Sequence, residues 1–211
     1  MEQLSNRVLL IGNPVSTPVY SHSNHGRDFY TFSLDVCRLS GTVDRLPILI
    51  PYELMAQCPI TESDNLCITG QLRTYNSRKP NGRRLILSLL AQTLEFTELP
   101  HDNQVTLHGT LCKDPNYRRT PLGREICDIM LAVNRTYGKA DYIPCILWGK
   151  DAVTAASYPA GTPLTLTGRL QSREYIKLIE EGKETRTTYE VSAITTNMGM
   201  MDNNFELTVE N

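Results

Sequence analysis

Residues 6–12 read NRVLLIG, and residues 103–109 read NQVTLHG. With this offset the chain aligns with itself without a gap from residue 6 to residue 52, and 14 of these 47 positions are identical. Ordinary residue usage would give about three identities by chance. A shift of one residue then aligns residues 69–72 (TGQL) with residues 167–170 (TGRL). The chain therefore contains two copies of one domain.

Both copies have the period-2 alternation of apolar residues that is typical of half-buried strands. The clearest case is residues 30–36, which residues 127–133 repeat in the second copy. A short helix is expected after the third strand of each copy, and two longer extended segments close each copy. The predicted strands are 8–12, 30–36, 46–51, 65–75 and 83–96, then 105–109, 127–133, 143–148, 163–173 and 185–195, with helices at 52–57 and 150–157.

Three strands, a helix and two strands within about 95 residues are the order of an OB-fold, a five-stranded Greek-key barrel. The sequence therefore predicts an all-β chain of two tandem OB-folds. We expect a first domain at residues 1–97, a polar linker at 98–102 and a second domain at 103–197. Residues 198–211 lack periodicity and carry three acidic residues, so a tail is expected there.

Composition excludes several classes of protein. The 211 residues include 21 Lys and Arg against 23 Asp and Glu, for a net charge of −2, and 40% are hydrophobic. Such a chain can form apolar cores, and any nucleic-acid binding must come from local basic patches. No apolar run approaches the ~18 residues of a membrane span, and the first twenty residues lack a signal-peptide pattern. A cytoplasmic protein is expected.

The cysteine and histidine positions do not indicate a metal or catalytic site. The six cysteines form no C-x-x-C pair and have no histidine at ligand spacing, so reduced thiols are expected rather than zinc ligands or disulfides. The pair His22 and His25 has no acidic or cysteine partner close in sequence. Neither paired carboxylates nor a nucleophile with a base can be identified, so the sequence predicts no enzymatic activity and no cofactor.

Several short motifs in the second copy resemble the bacterial single-stranded DNA-binding proteins. They are the N-x-V-x-L-x-G start, Asp114-Pro115, and the segments 131–133 (LAV), 146–150 (ILWGK) and 168–175 (GRLQSREY). The resemblance covers residues 103–197 throughout. In residues 6–96 it covers the strand framework and less of the binding face.

This resemblance implies binding of single-stranded DNA without sequence preference, as a coat during replication, recombination or repair. Every base has a π-face, so stacking on aromatic side chains tolerates any sequence, and cationic side chains contact the phosphates. The positions that match the family's stacking residues are aromatic in the second copy: Tyr137, Tyr142, Trp148 and Tyr175. Trp148 could equally be a core residue, since it ends a strand.

Basic residues near these aromatics are the candidate phosphate contacts. In the second copy they are Arg119, Arg124, Arg135, Lys139, Arg169, Arg173 and Lys177, of which Arg173 and Lys177 flank Tyr175. The candidates in the first copy are Arg38, Arg73 and Arg78. Residues 1–100 have no net charge, whereas residues 101–197 carry a net charge of +1.

The first copy departs from the family at the stacking positions, where it has Ser40, Arg45, Pro51 and Ser77. Tyr75 is its candidate stacking residue, and Tyr20 and Phe29 are possible substitutes. The second copy is therefore expected to provide most of the affinity. The last residues, 205–211 (FELTVEN), are only mildly acidic and differ from the acidic tip with which members of this family recruit partners.

Two other functions remain open from the sequence. One is an OB-fold accessory protein resembling primosomal replication proteins, which would act mainly through protein contacts. The other is RNA binding by the same surface, because stacking barely distinguishes the two sugars. The resemblance also implies a homodimer, which would bring four OB-folds together, and replication or repair proteins as partners.

Overall fold

The computed structural model describes residues 5–79, 82–135, 138–179 and 182–198, except for the side chains of 78, 79, 82–84 and 177–179. Twelve strands and two short helices make up this part of the chain. The first copy contains β1 (Asn6–Pro14), β2 (Val19–Asn24), β3 (Arg27–Cys37), β4 (Val43–Pro51), α1 (Tyr52–Gln57), β5 (Leu66–Lys79) and β6 (Gly82–Phe96). The second contains β7 (Asp102–Leu111), β8 (Asn116–Arg119), β9 (Glu125–Asn134), β10 (Ala140–Trp148), α2 (Gly149–Ala155), β11 (Pro163–Ile179) and β12 (Gly182–Met198).

Each copy forms a closed five-stranded barrel. In the first barrel β1 pairs with β5, followed by β6, β4 and β3, and β3 pairs again with β1. The second barrel closes in the same way through β7, β11, β12, β10 and β9. One pair in each barrel is parallel, β4 with β6 and β10 with β12, and the other pairs are antiparallel. The predicted all-β chain of two tandem OB-folds is confirmed.

The period-2 stripes fill the barrels. Leu34 and Ile48 in the first barrel and Leu131 and Ile143 in the second are fully buried. These residues belong to one cluster of buried apolar side chains that extends through both barrels. Their neighbours along each strand point outward, so the sequence alternation determines which side chains are available on the outer face.

The short strands β2 and β8 are absent from the sequence prediction. Each forms an antiparallel hairpin with the next strand, β2 with β3 and β8 with β9, and every residue of both is exposed. A strand that is exposed on both faces has no apolar alternation, which is why the pattern did not indicate it. The closing hairpins are also longer than predicted, since β5 reaches Lys79 and β11 reaches Ile179.

The barrels are joined by their first strands. β1 pairs antiparallel with β7, and Val8 lies opposite Val105. These two valines are equivalent in the repeat, so the pairing is centred on an approximate twofold axis between the copies. Because β1 and β7 also pair within their own barrels, the strands form one continuous twelve-stranded sheet.

Two buried carboxylates, Asp44 and Asp141, connect the barrels on either side of this axis. Asp44 of the first barrel accepts hydrogen bonds from the backbone N–H and hydroxyl of Ser172, at 2.9 and 3.3 Å. Asp141 of the second barrel accepts the equivalent bonds from Thr74. We call Asp44 with its partners Ser172 and Arg38 the Asp44 seam. Asp141 with its partners Thr74, Arg135 and Arg73 is the Asp141 seam.

The predicted linker is held in place by His101. Its Nδ1 accepts a hydrogen bond from the backbone N–H of Cys37 at 2.9 Å, and its Nε2 lies 2.7 Å from Oδ1 of Asn13. Because Nδ1 is an acceptor, the ring donates from Nε2. In this way the segment between the barrels is fixed to the first barrel at two points. Neither helix in the described ranges has the length and apolar character needed to cross a membrane.

Candidate nucleic-acid interface

The outer face of β9 and β10 presents two of the predicted stacking residues. Along β10 the side chains of Ile143, Cys145 and Leu147 point into the barrel, so Tyr142 and Trp148 point outward. Tyr142 is 48% exposed and Trp148 38%. They lie on the same side of one strand, about 20 Å apart at the usual rise per residue.

Trp148 is a surface residue with a fixed orientation. Its indole Nε1–H donates to the Oγ of Ser192 on β12 at 3.0 Å, and its backbone lies opposite Ile126 on β9. A ring that is anchored at its polar edge and open on part of its surface has the features of a stacking platform.

Tyr175 and Tyr75 lie on the long hairpins that extend from the barrels. Tyr175 on β11 is 39% exposed and pairs across the hairpin with Arg186, whereas Tyr75 on β5 is 60% exposed and pairs with Ile86. The hairpin of the first barrel reaches the second, because the Thr74 hydroxyl accepts a hydrogen bond from the Tyr142 backbone at 2.9 Å. Thus Tyr75 follows a residue that touches the strand of Tyr142.

Three of the predicted contacts lie outside the described residues: Tyr137, and the side chains of Lys177 and Arg78. They remain predictions.

The exposed basic candidates differ in their partners. Arg119 is paired with Glu125 at 2.7 Å, and this hydrogen bond raises the pKa of the guanidinium and lowers that of the carboxyl. Arg173 is more than half exposed, with its Nε 3.5 Å from the buried Glu190. Arg124 and Lys139 are exposed in the turn after β8 and the loop before β10. Arg173, Arg124 and Lys139 can therefore reach a bound polyanion with little loss of existing contacts.

Three other basic candidates are involved in the seams. Arg38 donates to both oxygens of Asp44, at 2.6 and 2.7 Å, and Arg135 donates to both oxygens of Asp141. Arg73 also donates to Asp141, at 3.1 Å. Burial lowers the pKa of Arg73, an effect that Asp141 opposes and Arg135 reinforces. A phosphate would have to compete with these carboxylates for the same N–H groups.

Arg169 is partly buried beside the Asp44 seam. Its Nε is buried and has no hydrogen-bond partner among the described residues. Burial and the nearby charge of Arg38 lower its pKa, and Asp44 opposes this effect.

The face of the first barrel differs from that of the second at the stacking positions. Arg45, which is equivalent to Tyr142, makes two hydrogen bonds of 2.9 Å to Asp35. Ser40 is exposed, whereas Pro51 and Ser77 are half-buried. None of these four positions presents an aromatic ring.

The sequence prediction did not identify two groups of aromatic rings on the first barrel. His22 and Phe29 stack with their ring centres 5.1 Å apart, and Tyr30 contacts both Tyr20 and Tyr52. β2 brings Tyr20 to Tyr30 and His22 to Phe29, so these two contacts could be found only once that exposed strand was known.

No group of three His, Cys, Asp or Glu side chains in the described ranges could hold a metal ion. The six cysteines are unpaired. Cys127 and Cys145 are buried within the second barrel, where burial raises the pKa of both thiols.

The second copy of the repeat is similar in sequence to proteins of one known family. Residues 102–201 match the single-strand binding protein family. The single-stranded DNA-binding protein B of Bacillus subtilis is 36% identical over 107 residues, which are 47% of this chain and 90% of the relative. The single-stranded DNA-binding protein 2 of Listeria innocua is 41% identical over 80 residues, 35% of this chain and 50% of the relative. With that protein and the Enterococcus faecalis single-stranded DNA-binding protein, the match spans about half the length of the relative.

The fold of the whole chain is similar to a solved structure. The wild-type single-stranded DNA-binding protein of Thermus aquaticus superposes with a TM-score of 0.76 at 20% identity, covering 95% of this chain and 96% of that chain. The structural similarity thus includes both barrels, whereas the family match lies in the second. Because the chain is 36% identical to the Bacillus subtilis protein and covers 90% of it, the chain belongs to the single-strand binding protein family.

Proposed function

We propose that this protein binds single-stranded DNA without sequence preference, by stacking bases on aromatic side chains and contacting phosphates with Lys and Arg. The second barrel provides most of the affinity. The protein coats single strands during replication, recombination or repair in the cytoplasm, and it acts by binding rather than by catalysis. Membership of the family and the names of the relatives support this proposal.

The observation that carries the proposal is the set of exposed aromatic rings on the second barrel. Tyr142, Trp148 and Tyr175 are each between 38% and 48% exposed, although the barrel interior is fully packed. An exposed aromatic ring offers a base a flat apolar surface on which to stack. Stacking of a base on such a ring is worth about 1–3 kcal/mol and does not depend on which base it is.

The balance of charge limits how the phosphates are held. The whole chain has a net charge of −2, so attraction of a polyanion depends on the local placement of cations. Arg173, Arg124 and Lys139 are the exposed candidates in the second barrel. Each contact with a single strand contributes about 0.7 to the slope of log K against log salt concentration.

We further propose that the protein forms a homodimer with four OB-folds, and that replication or repair proteins are its protein partners. The alternative function is that of an accessory protein that works mainly through protein contacts. The specific feature that favours this alternative is the first barrel, which lacks aromatic rings at the four stacking positions.

A mobility-shift assay with oligo-dT, oligo-rU and a DNA duplex of equal length tests the proposal. We expect saturating, salt-sensitive binding of oligo-dT and much weaker binding of the duplex. Equal affinity for oligo-rU would extend the function to RNA. Failure to bind either single strand at low salt would instead favour the accessory function.

A further inference from the structure

A cleft of about 530 Å³ lies between the two barrels, beside the Asp44 seam. Ser172 connects the cleft with the seam, because its hydroxyl and backbone N–H both donate to Asp44. The volume is within the range of sites that hold a small ligand or a side chain of a partner. One side of the cleft is formed by Asp35, Val43 and Arg45 of the first barrel, and the other by Ser172, Glu174 and Tyr189 of the β11–β12 hairpin.

The charges that line the cleft do not balance. Arg45 donates to both oxygens of Asp35, at 2.9 Å each, so these two groups satisfy each other. Glu174 is exposed and makes no hydrogen bond or ion pair within the described ranges. The cleft therefore presents one unpaired carboxylate.

The neighbouring arginines do not supply the missing partner of Glu174. Arg38 is bound to Asp44 within the seam. Arg173 is next to Glu174 in sequence but points to the other face of the hairpin, where its Nε lies 3.5 Å from Glu190. Arg169 is farther along β11, about 17 Å from Glu174 at the usual rise per residue. A positive charge that pairs with Glu174 would have to come from another molecule.

Apolar side chains adjoin this carboxylate. Val43, which lines the cleft, is 46% exposed, and Leu39 in the turn before it is fully exposed. Apolar surface beside an unpaired charge is complementary to a segment in which an apolar residue accompanies a residue of opposite charge.

The repeat provides a comparison within the same molecule. The six equivalent positions on the side of the Asp141 seam carry no charge, and one of them is the proposed stacking residue Tyr142. Thus one side offers a ring to a base, whereas the other offers carboxylates, which repel phosphates. The equivalent residues are Ala132, Ala140 and Tyr142 on the barrel and Thr74, Asn76 and Leu87 on the hairpin.

We infer that this cleft is a docking site for an extended basic segment of a partner protein, in which a Lys or Arg side chain pairs with Glu174 and an adjacent apolar side chain covers Val43. The inference rests on the proposed protein partners and adds the site and the chemistry of the contact. Hydrogen bonds between a cationic side chain and a carboxylate are stronger than those between neutral groups. A single strand of DNA is not the occupant, because its phosphates would meet Asp35 and Glu174.

The first test uses a short, capped and fluorescently labelled peptide of alternating lysine and leucine, with a peptide of alternating glutamate and leucine as its control. Binding to the whole chain is followed by fluorescence anisotropy at low salt. We expect saturable binding of the lysine peptide alone, weakened about fivefold by Glu174→Gln. Glu62→Gln removes the same charge from an exposed turn of the first barrel and should retain the wild-type affinity.

The second test maps the contact on the wild-type protein. Backbone amide signals are followed by NMR during addition of the lysine peptide. We expect the signals of Val43, Ser172 and Glu174 to move, because these residues line the cleft, and the signal of Glu62 to stay in place.

The possible outcomes separate this inference from the proposed binding of DNA, since binding of oligo-dT is measured on the same protein. Loss of affinity confined to Glu174→Gln, together with movement of the cleft signals, establishes the docking site whether or not oligo-dT binds. Equal affinities of Glu174→Gln and Glu62→Gln would show that only the net charge attracts the peptide. That result, or cleft signals that do not move, would overturn the inference and leave binding of oligo-dT untouched.

Discussion

At the scale of single residues, the proposed stacking residues differ in how firmly they are held. Trp148 is fixed by its hydrogen bond to Ser192, whereas Tyr175 lies on a hairpin that extends beyond the barrel. A base that stacks on Trp148 meets a ring already held in one orientation. Tyr175 has a polar contact of another kind, with the guanidinium of Arg186 across the hairpin.

Replacement of the tyrosines tests the difference between the barrels. We expect Tyr175→Ala and Tyr137→Ala each to weaken binding of oligo-dT by about 1–3 kcal/mol, with no dependence on sequence. Tyr20→Ala and Tyr75→Ala should cost less, because they lie on the first barrel. Fluorescence or mobility-shift titrations would measure these changes. Complete loss of binding in a well-folded Tyr20→Ala variant would show that the ranking of the barrels is wrong.

The cysteines should differ in reactivity according to burial. Since the thiolate is the reactive form and burial raises the pKa of Cys127 and Cys145, these two should resist alkylation at neutral pH. Cys37 and Cys112 are exposed and should be modified first. Mass spectrometry after brief treatment with iodoacetamide would distinguish them, with denatured protein as the control. Rapid modification of Cys145 in the folded protein would contradict the packing of the second barrel.

At the scale of strands, two glycines are required where the closing hairpins begin. Gly70 on β5 and Gly168 on β11 lie opposite bulges in the partner strands β6 and β12, and a Cβ at Gly168 would lie 2.3 Å from the carbonyl oxygen of Ser192. A backbone atom at this distance cannot move aside without disturbing the pairing of β11 with β12.

The substitution Gly168→Ala should therefore lower the stability of the second barrel. We expect a loss of about 1–3 kcal/mol in the free energy of unfolding, typical of overpacking in a tight site. Thermal or urea unfolding would measure it. Gly123→Ala, in an exposed turn with no atom near its Cβ position, should be destabilised by backbone strain at its positive φ of 77° and not by crowding, so it shows the size of the first effect alone. Wild-type stability of Gly168→Ala would contradict the described pairing.

The seams should be sensitive to loss of the carboxylate. Asp141 is fully buried, and its removal would leave Arg135 and Arg73 without their common partner. Breaking a buried ion pair at one side costs about 3–5 kcal/mol. We expect a loss of that size for Asp141→Ala in urea unfolding, against a small effect for Asp128→Ala, whose pair with Arg118 is exposed. Equal stability of the two variants would contradict a structural role for the seam.

At the scale of the whole molecule, the repeat predicted two barrels but not their arrangement. The fold could be predicted because apolar residues alternate in 30–36 and 127–133, and this alternation indicates which side chains enter each core. The seams join residues 128 and 67 positions apart, and no local pattern indicates such contacts. For this reason Arg38, Arg73 and Arg135 were indistinguishable in the sequence from exposed cations.

The sequence predicted which residues could form the interface but not how they are exposed or held. The family resemblance indicated Tyr142, Trp148 and Tyr175 as candidates, but a tryptophan at the end of a strand could equally have faced the core. Only the register of β10 and the contact with Ser192 place its ring on the surface. The burial of Arg169 depends on contacts with the other barrel, so the sequence could mark it only as one cation among many.

The most direct test of the central claim uses the single tryptophan. Oligo-dT is titrated into the protein at several salt concentrations, and Trp148 fluorescence is followed together with an independent mobility shift. We expect strong, saturating quenching that weakens with salt, because a base stacks on the exposed ring of Trp148 as phosphates displace counterions. Absence of both quenching and a mobility shift, even at low salt, would contradict the proposed binding of single-stranded DNA.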